Sequence, residues 1–168
     1  MSSHCAILLV EDDENDVVLM QHAFKEAGLE NPLQIARDGL EAIEFLKRLI
    51  APRGPIDDQL PCLAIMDLKM PRRNGLDVLQ WLRQEPVLRC LPTIMFSSSA
   101  HRHDIERAYA LGTNSFVVKP ASTGQRIEFA RHIKDYWLRF NQPPLMCTEG
   151  LEAARQVHAG GELADPAS

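Results

Sequence analysis

The sequence predicts an α/β domain with a doubly wound, five-stranded parallel sheet of the form (βα)5. Three observations carry this. Five short apolar runs alternate with longer stretches of helical period, which is the pattern of a sheet covered by helices. The runs are continuously apolar rather than alternating, as strands buried on both faces require. The chain of 168 residues suits one domain, since domains commonly run about 100 to 150 residues.

The first strand is CAILLV, residues 5 to 10, followed by DENDVVLMQHAFKEAG. There Val17, Met20, Phe24 and Ala27 recur at spacings of three and four, and Gly28 is placed as a C-terminal stop. LQIA, 33 to 36, precedes DGLEAIEFLKRLI with Leu40, Ile43, Leu46 and Ile50 on one face. CLAIM (62 to 66) leads to GLDVLQWLRQ, TIMF (93 to 96) to HDIERAYALG, and SFVV (115 to 118) to TGQRIEFARHIKDYWLRF. That last helix carries a stripe of Ile127, Ala130, Ile133, Trp137 and Phe140, widened by Phe129 and Tyr136. One domain over 1–140 is therefore expected, with an irregular, proline-rich insertion at 51–61. A tail at 141–168, low in apolar periodicity, is expected to be flexible and is too short for an output module such as a winged helix.

Composition excludes several classes. The formal net charge is -5, so the basic footprint of a nucleic-acid binder is missing and no direct nucleic-acid contact is expected. No run reaches the roughly 18 apolar residues of a membrane span, and the N-terminus lacks a basic region ahead of its apolar stretch. Cys5, Cys62, Cys90 and Cys147 are far apart without a C-x-x-C pair, which reads as reduced thiols in a soluble, cytoplasmic protein.

Ligands of doubly wound sheets bind beyond the carboxyl ends of the strands. The residues just after the strands are Glu11, Asp12 and Asp13; Asp67; Ser97, Ser98 and Ser99; and Lys119 with Pro120. Clustered carboxylates repel one another, and a divalent cation, Mg²⁺ at such an oxygen-rich site, relieves this. Magnesium keeps an incomplete protein cage and commonly shares a phosphate oxygen, which implies a phosphoryl ligand. An Asp carboxylate can itself be the nucleophile, with metal, ammonium and hydroxyl sharing the phosphoryl oxygens. Each piece also has an ordinary structural reading. Acidic residues opening a helix are usually caps, worth about 0.3 to 1 kcal/mol through the dipole. The serines suit the next helix's cap, a lone lysine suits solvent, and Asp67 before Pro71 and Gly75 suits a turn. Their convergence on one edge favours the functional reading. Of the six histidines only His101 and His103 stand at a ligand or catalytic spacing, and that pair, opening the fourth helix beside the pocket, reads as surface residues.

These residues resemble the receiver domain of bacterial two-component response regulators. The matching pieces are LLVEDDEND, ARDGLEAIEFL, AIMDLKMPRRNGLDVL, LPTIMFSSSA and YALGTNSFVVKPAS, over roughly 5 to 140, with steps of 30 from Asp67 to Ser97 and 22 to Lys119. The resemblance implies a flavodoxin-like fold with strand order 2-1-3-4-5. It implies Asp67 as phosphoacceptor from the histidine of a sensor histidine kinase, and Asp12 and Glu11 as the metal pair, joined by Asp67 and the backbone carbonyl of Lys69. Ser97 is similar to the hydroxyl that follows the phosphoryl group, Phe116 to the aromatic that swings inward, and Lys119 to the phosphate-contacting lysine. The Lys119–Pro120 bond is expected to be cis. The insertion and the ending FARHIKDYWLRFNQPP resemble single-domain regulators paired with phytochrome-type kinases, bacteriophytochromes included.

The wide aromatic face of the last helix suggests a homodimer through α4-β5-α5, the fourth helix, fifth strand and fifth helix. Two other readings remain open. An aspartyl-nucleophile, Mg²⁺-dependent phosphatase similar to the haloacid dehalogenase group needs a second Asp two residues on, where Lys69 stands. A degenerate receiver acting as a binding module would not need the intact set of Glu11, Asp12, Asp67, Ser97 and Lys119. The expectation is a phosphoacceptor signalling protein rather than an enzyme.

Overall fold

The computed structural model describes residues 5–51 and 60–142. Strands β1 (Ala6–Val10), β2 (Leu33–Ala36), β3 (Pro61–Met66), β4 (Thr93–Ser97) and β5 (Ser115–Val118) alternate with helices α1 (Glu14–Glu26), α2 (Gly39–Leu49), α3 (Gly75–Gln84), α4 (Arg102–Ala110) and α5 (Thr123–His132). The strands form one sheet in the order β2-β1-β3-β4-β5, all pairs parallel. The fold class and strand order expected from the sequence are thus observed.

The continuous apolar runs serve both faces. Leu8, Val10, Ala64, Met66 and Met95 pack with Leu46, Leu79 and Leu82 of α2 and α3, and with Ala108 of α4. Their strand neighbours Ile7, Leu9, Leu63, Ile65 and Phe96 point the other way, onto Val17, Met20 and Phe24 of α1 and Ala130 of α5. Gly28 follows the end of α1 with φ +66°, a left-handed turn in which a side chain would be strained.

Four expectations change. Pro61 is buried as the first residue of β3, so the anticipated insertion ends earlier; its residues 52–59, like 143–168 of the anticipated tail, lie outside the described residues. Cys5 and Cys62 form a disulfide rather than standing as separate thiols, because the neighbouring strands β1 and β3 bring their Cα atoms to 5.8 Å. No described peptide bond is cis, so Lys119–Pro120 is trans, the form an X-Pro bond adopts unless its surroundings hold the other. Finally, the fifth helix widens into π-helical turns over Ile133–Phe140, with the Asn141 amide bonded to the Tyr136 carbonyl at 2.7 Å. This i→i+5 spacing rotates the stripe: Ile133 stays buried, whereas Phe140 is 68% exposed.

Candidate functional site

The site lies where β1, β3 and β5 end. The Asp67 amide donates to the Val10 carbonyl, continuing the β1–β3 ladder by one residue and carrying a charged side chain to the rim of a buried sheet. Asp67 Oδ1 accepts from the Leu68 amide at 2.6 Å and the Lys69 amide at 3.3 Å, and Oδ2 accepts from Lys119 Nζ at 2.9 Å. Gly75, the start of α3, presses on this turn, and a Cβ there would overlap the Asp67 carbonyl oxygen and Met95 Cε. The glycine that closes the motif is required by close approach.

Lys119, at the end of β5, donates to three carboxylates: Glu11 Oε2 at 2.7 Å, Asp16 Oδ2 at 2.8 Å and Asp67 Oδ2. An ammonium has three N–H donors, so all are used. Burial alone would lower its pKa, but the hydrogen bonds to Asp16, Glu11 and Asp67 raise it and keep the group charged. Glu11 is 1% exposed, and burial pushes its pKa up to about 7 despite the Lys119 hydrogen bond. For Asp16 burial again acts upward, but Lys119 and Arg126 outweigh it and hold the carboxyl below its ordinary value.

Glu11, Asp12 and Asp67 offer carboxylate oxygens all within 4.8 Å of one another, with Asp12 open to solvent. Fully ionised, the four carboxylates Glu11, Asp12, Asp16 and Asp67 outnumber Lys119 and Arg126 by two charges. An oxygen-only donor set with two uncompensated negative charges fits a hard divalent cation.

The acidic trio of the sequence divides its labour. Asp13 is the N-cap of α1, accepting from the Asn15 amide at 2.8 Å, while Glu11 and Asp12 face the pocket. Among the serines, Ser97 is fully buried and accepts from the Ser99 amide, and Ser99 Oγ donates to Asp104 at the start of α4. Phe116 is half-buried beside α4, its amide donating to Tyr109 Oη at 3.3 Å. Lys69 is exposed, its amide turned to Asp67. His101 and His103 are exposed, and His101 precedes α4 without a side-chain capping bond.

Two members of the buried network were not anticipated. Asp16, in the first turn of α1, bridges Lys119 and Arg126, and Arg126 of α5 is 7% exposed with Nη2 at 2.7 Å from Asp16 Oδ1. The one signal in the sequence was a charged residue four positions before Ala130, on the buried side of α5.

The receiver-domain profile of response regulators matches residues 7–131. The probable methanogenesis regulatory protein FilR2 of Methanothrix harundinacea is 33% identical over 82% of this chain and 86% of its own length. Response regulator Rcp1 of Synechocystis is 31% identical over 79% and 88%, and its Mn²⁺-bound structure superposes with a TM-score of 0.72 over 83% of this chain and 99% of that one. The phosphorylated cyanobacterial phytochrome response regulator RcpA is 30% identical, with a TM-score of 0.75 over 84% of this chain and 99% of that one. Receiver domains bind Mg²⁺ or Mn²⁺ at an acidic site, where this chain has Glu11, Asp12 and Asp67. No described helix is long and apolar enough to cross a membrane. Profile, relatives and fold agree: the chain belongs to the response regulator receiver domain family, signalling proteins whose partner is a phosphodonor sensor kinase.

Proposed function

We propose that the protein is a response regulator that accepts a phosphoryl group on Asp67 from a phosphohistidine of its sensor kinase. The observation that carries this is the placing of Asp67: a carboxylate 7% exposed, fixed on one oxygen by backbone amides and on the other by Lys119, inside an acidic cluster. An Asp67 oxygen attacks phosphorus, a P–O bond forms, the P–N bond to the histidine breaks, and its electron pair leaves with the imidazole nitrogen. Lys119 Nζ, already beside Asp67, turns one N–H to a phosphoryl oxygen and offsets the added charge. Glu11, Asp12, Asp67 and the Lys69 carbonyl would hold Mg²⁺, which supplies charge neutralisation at the phosphoryl oxygens. Lys69 stands where an aspartyl phosphatase would need its general acid, so turnover of external phosphomonoesters is not part of the reading.

Signalling follows through Ser97 and Phe116. The phosphoryl group draws the Ser97 hydroxyl toward it, Phe116 turns into the space released, and the α4-β5-α5 face changes shape. That face is also the proposed homodimer surface: Tyr109 of α4 and Val118 of β5 are exposed, as are Tyr136 and Phe140 of the π-helical turns that follow α5. Similarity to RcpA and the aromatic end of the last described helical segment support a phytochrome-type kinase as partner. The test is phosphotransfer from such a kinase to wild type and to Asp67→Asn. Transfer to wild type alone supports the reading; equal labelling of both overturns the site.

A further inference from the structure

Lys119 is held on two sides. Toward the reaction centre it contacts Glu11 and Asp67, and away from it Asp16, which is itself held by Arg126. Arg126 is fixed in turn, its Nε donating to the Pro120 carbonyl at 3.1 Å, one residue past Lys119, and its guanidinium carbon lying 6.0 Å from the centre of the Phe96 ring. The structure therefore closes a ring from Lys119 through Asp16 and Arg126 back to the carbonyl of Pro120, the residue next to Lys119. Asp16 lies outside the group of carboxylates whose oxygens cluster for a metal.

From this ring we infer that Asp16 and Arg126 are positioning residues for phosphoryl transfer, which hold the Lys119 ammonium in line with Asp67. The inference rests on the phosphoacceptor reading above. Asp16 can do this only as a carboxylate. Its Oδ2 accepts from Lys119 and its Oδ1 from Arg126, so each oxygen faces a cation. An amide has one acceptor oxygen and one NH₂ donor, so asparagine here must turn its NH₂ toward one of the two cations. Arg126 also shares the charge of Asp16, which keeps Lys119 from being drawn wholly away from Asp67. When the phosphoryl group arrives, Lys119 pivots toward it while Asp16 remains tied to α5.

This logic makes a rescue the decisive test. Phosphorylation by acetyl phosphate with Mg²⁺ is followed for wild type, Asp16→Asn and Asp16→Asn/Arg126→Gln, at saturating donor and across donor concentrations. Asp16→Asn is expected to lower the maximal rate about tenfold, the scale of one lost charged hydrogen bond, with little change in the half-saturating donor concentration. In the double variant the introduced glutamine side chain offers a carbonyl to the asparagine NH₂ and frees the asparagine oxygen for Lys119. The rate then recovers to within about threefold of wild type, against the additive loss expected of merely structural changes. A wild-type rate for Asp16→Asn, or a double variant no faster than the single one, overturns the inference. Should Asp16→Asn fold poorly, Arg126→Leu carries the test: several-fold slower transfer supports the ring, and an unchanged rate overturns it. A wild-type chain that takes no phosphoryl group at all would overturn the phosphoacceptor reading and this inference together, whereas labelled wild type with unaffected variants removes only the inference.

Discussion

The rim beyond β1, β3 and β5 and the face formed by α4 and β5 are built to opposite standards. At the rim every N–H of Lys119 and both oxygens of Asp67 and of Asp16 have partners, and Glu11 and Arg126 are almost wholly buried. On the face, α4 buries only Ala108, its start lacks a side-chain capping bond, and Val118 and Tyr109 are 46% and 51% exposed. Chemistry needs atoms held in place, whereas a signal needs an element with little free energy opposing its movement. Under the proposed function, these two demands fall on different parts of the structure.

Disrupting the rigid side has the largest effect. Lys119→Ala leaves Glu11, Asp16 and Asp67 facing one another without their shared cation, and urea unfolding should show a loss of about 3 to 5 kcal/mol, partly restored by Mg²⁺. Gly75→Ala forces a methyl onto the Asp67 carbonyl and Met95, with an expected cost of about 1 to 3 kcal/mol and slower phosphorylation, read by the same unfolding curves and by acetyl phosphate labelling.

A pH series probes the rim with a smaller effect. Glu11 titrates near 7 in the folded protein, above its ordinary 4.5, so its contribution to metal-free stability is complete below about 4.5 and is lost as pH rises through about 7. Mg²⁺ needs the ionised carboxylate, so the stabilisation it adds should grow over that same window, with proton uptake by the buffer marking the binding. Asp16 runs oppositely: its contribution is present above about 3.8 and is lost only in stronger acid. Thermal melts with and without Mg²⁺ across this range measure both. The smallest effect belongs to the face. Tyr109→Ala removes one half-exposed hydroxyl from the Phe116 amide and should change stability by only about 0.5 kcal/mol while leaving the phosphorylation rate unaltered.

The parts legible from sequence are those with a local cause. CAILLV, LQIA, CLAIM, TIMF and SFVV had to be strands because they were short, apolar throughout and separated by helical periods, and their ends marked Glu11, Asp67, Ser97 and Lys119. What stayed hidden depends on neighbours far apart in the chain. Asp16 looks like any acidic residue opening a helix until Lys119 and Arg126, more than a hundred residues away, arrive beside it. The Cys5–Cys62 bridge spans 57 residues and becomes visible only once β3 is seen beside β1. The trans Lys119–Pro120 bond differs because the cis expectation came from resemblance alone, and the π-helical turns at Ile133–Phe140 have no pattern in the residues that would separate them from an ordinary helix.

The most direct measurement is tandem mass spectrometry of the chain after incubation with acetyl phosphate and Mg²⁺, under conditions that preserve an acyl phosphate. One phosphoryl group on the peptide containing Asp67 in wild type, and none on the protein when Asp67→Asn is treated alike, is the predicted result. A phosphoryl group found on another residue, or equal labelling of the variant, would contradict the account.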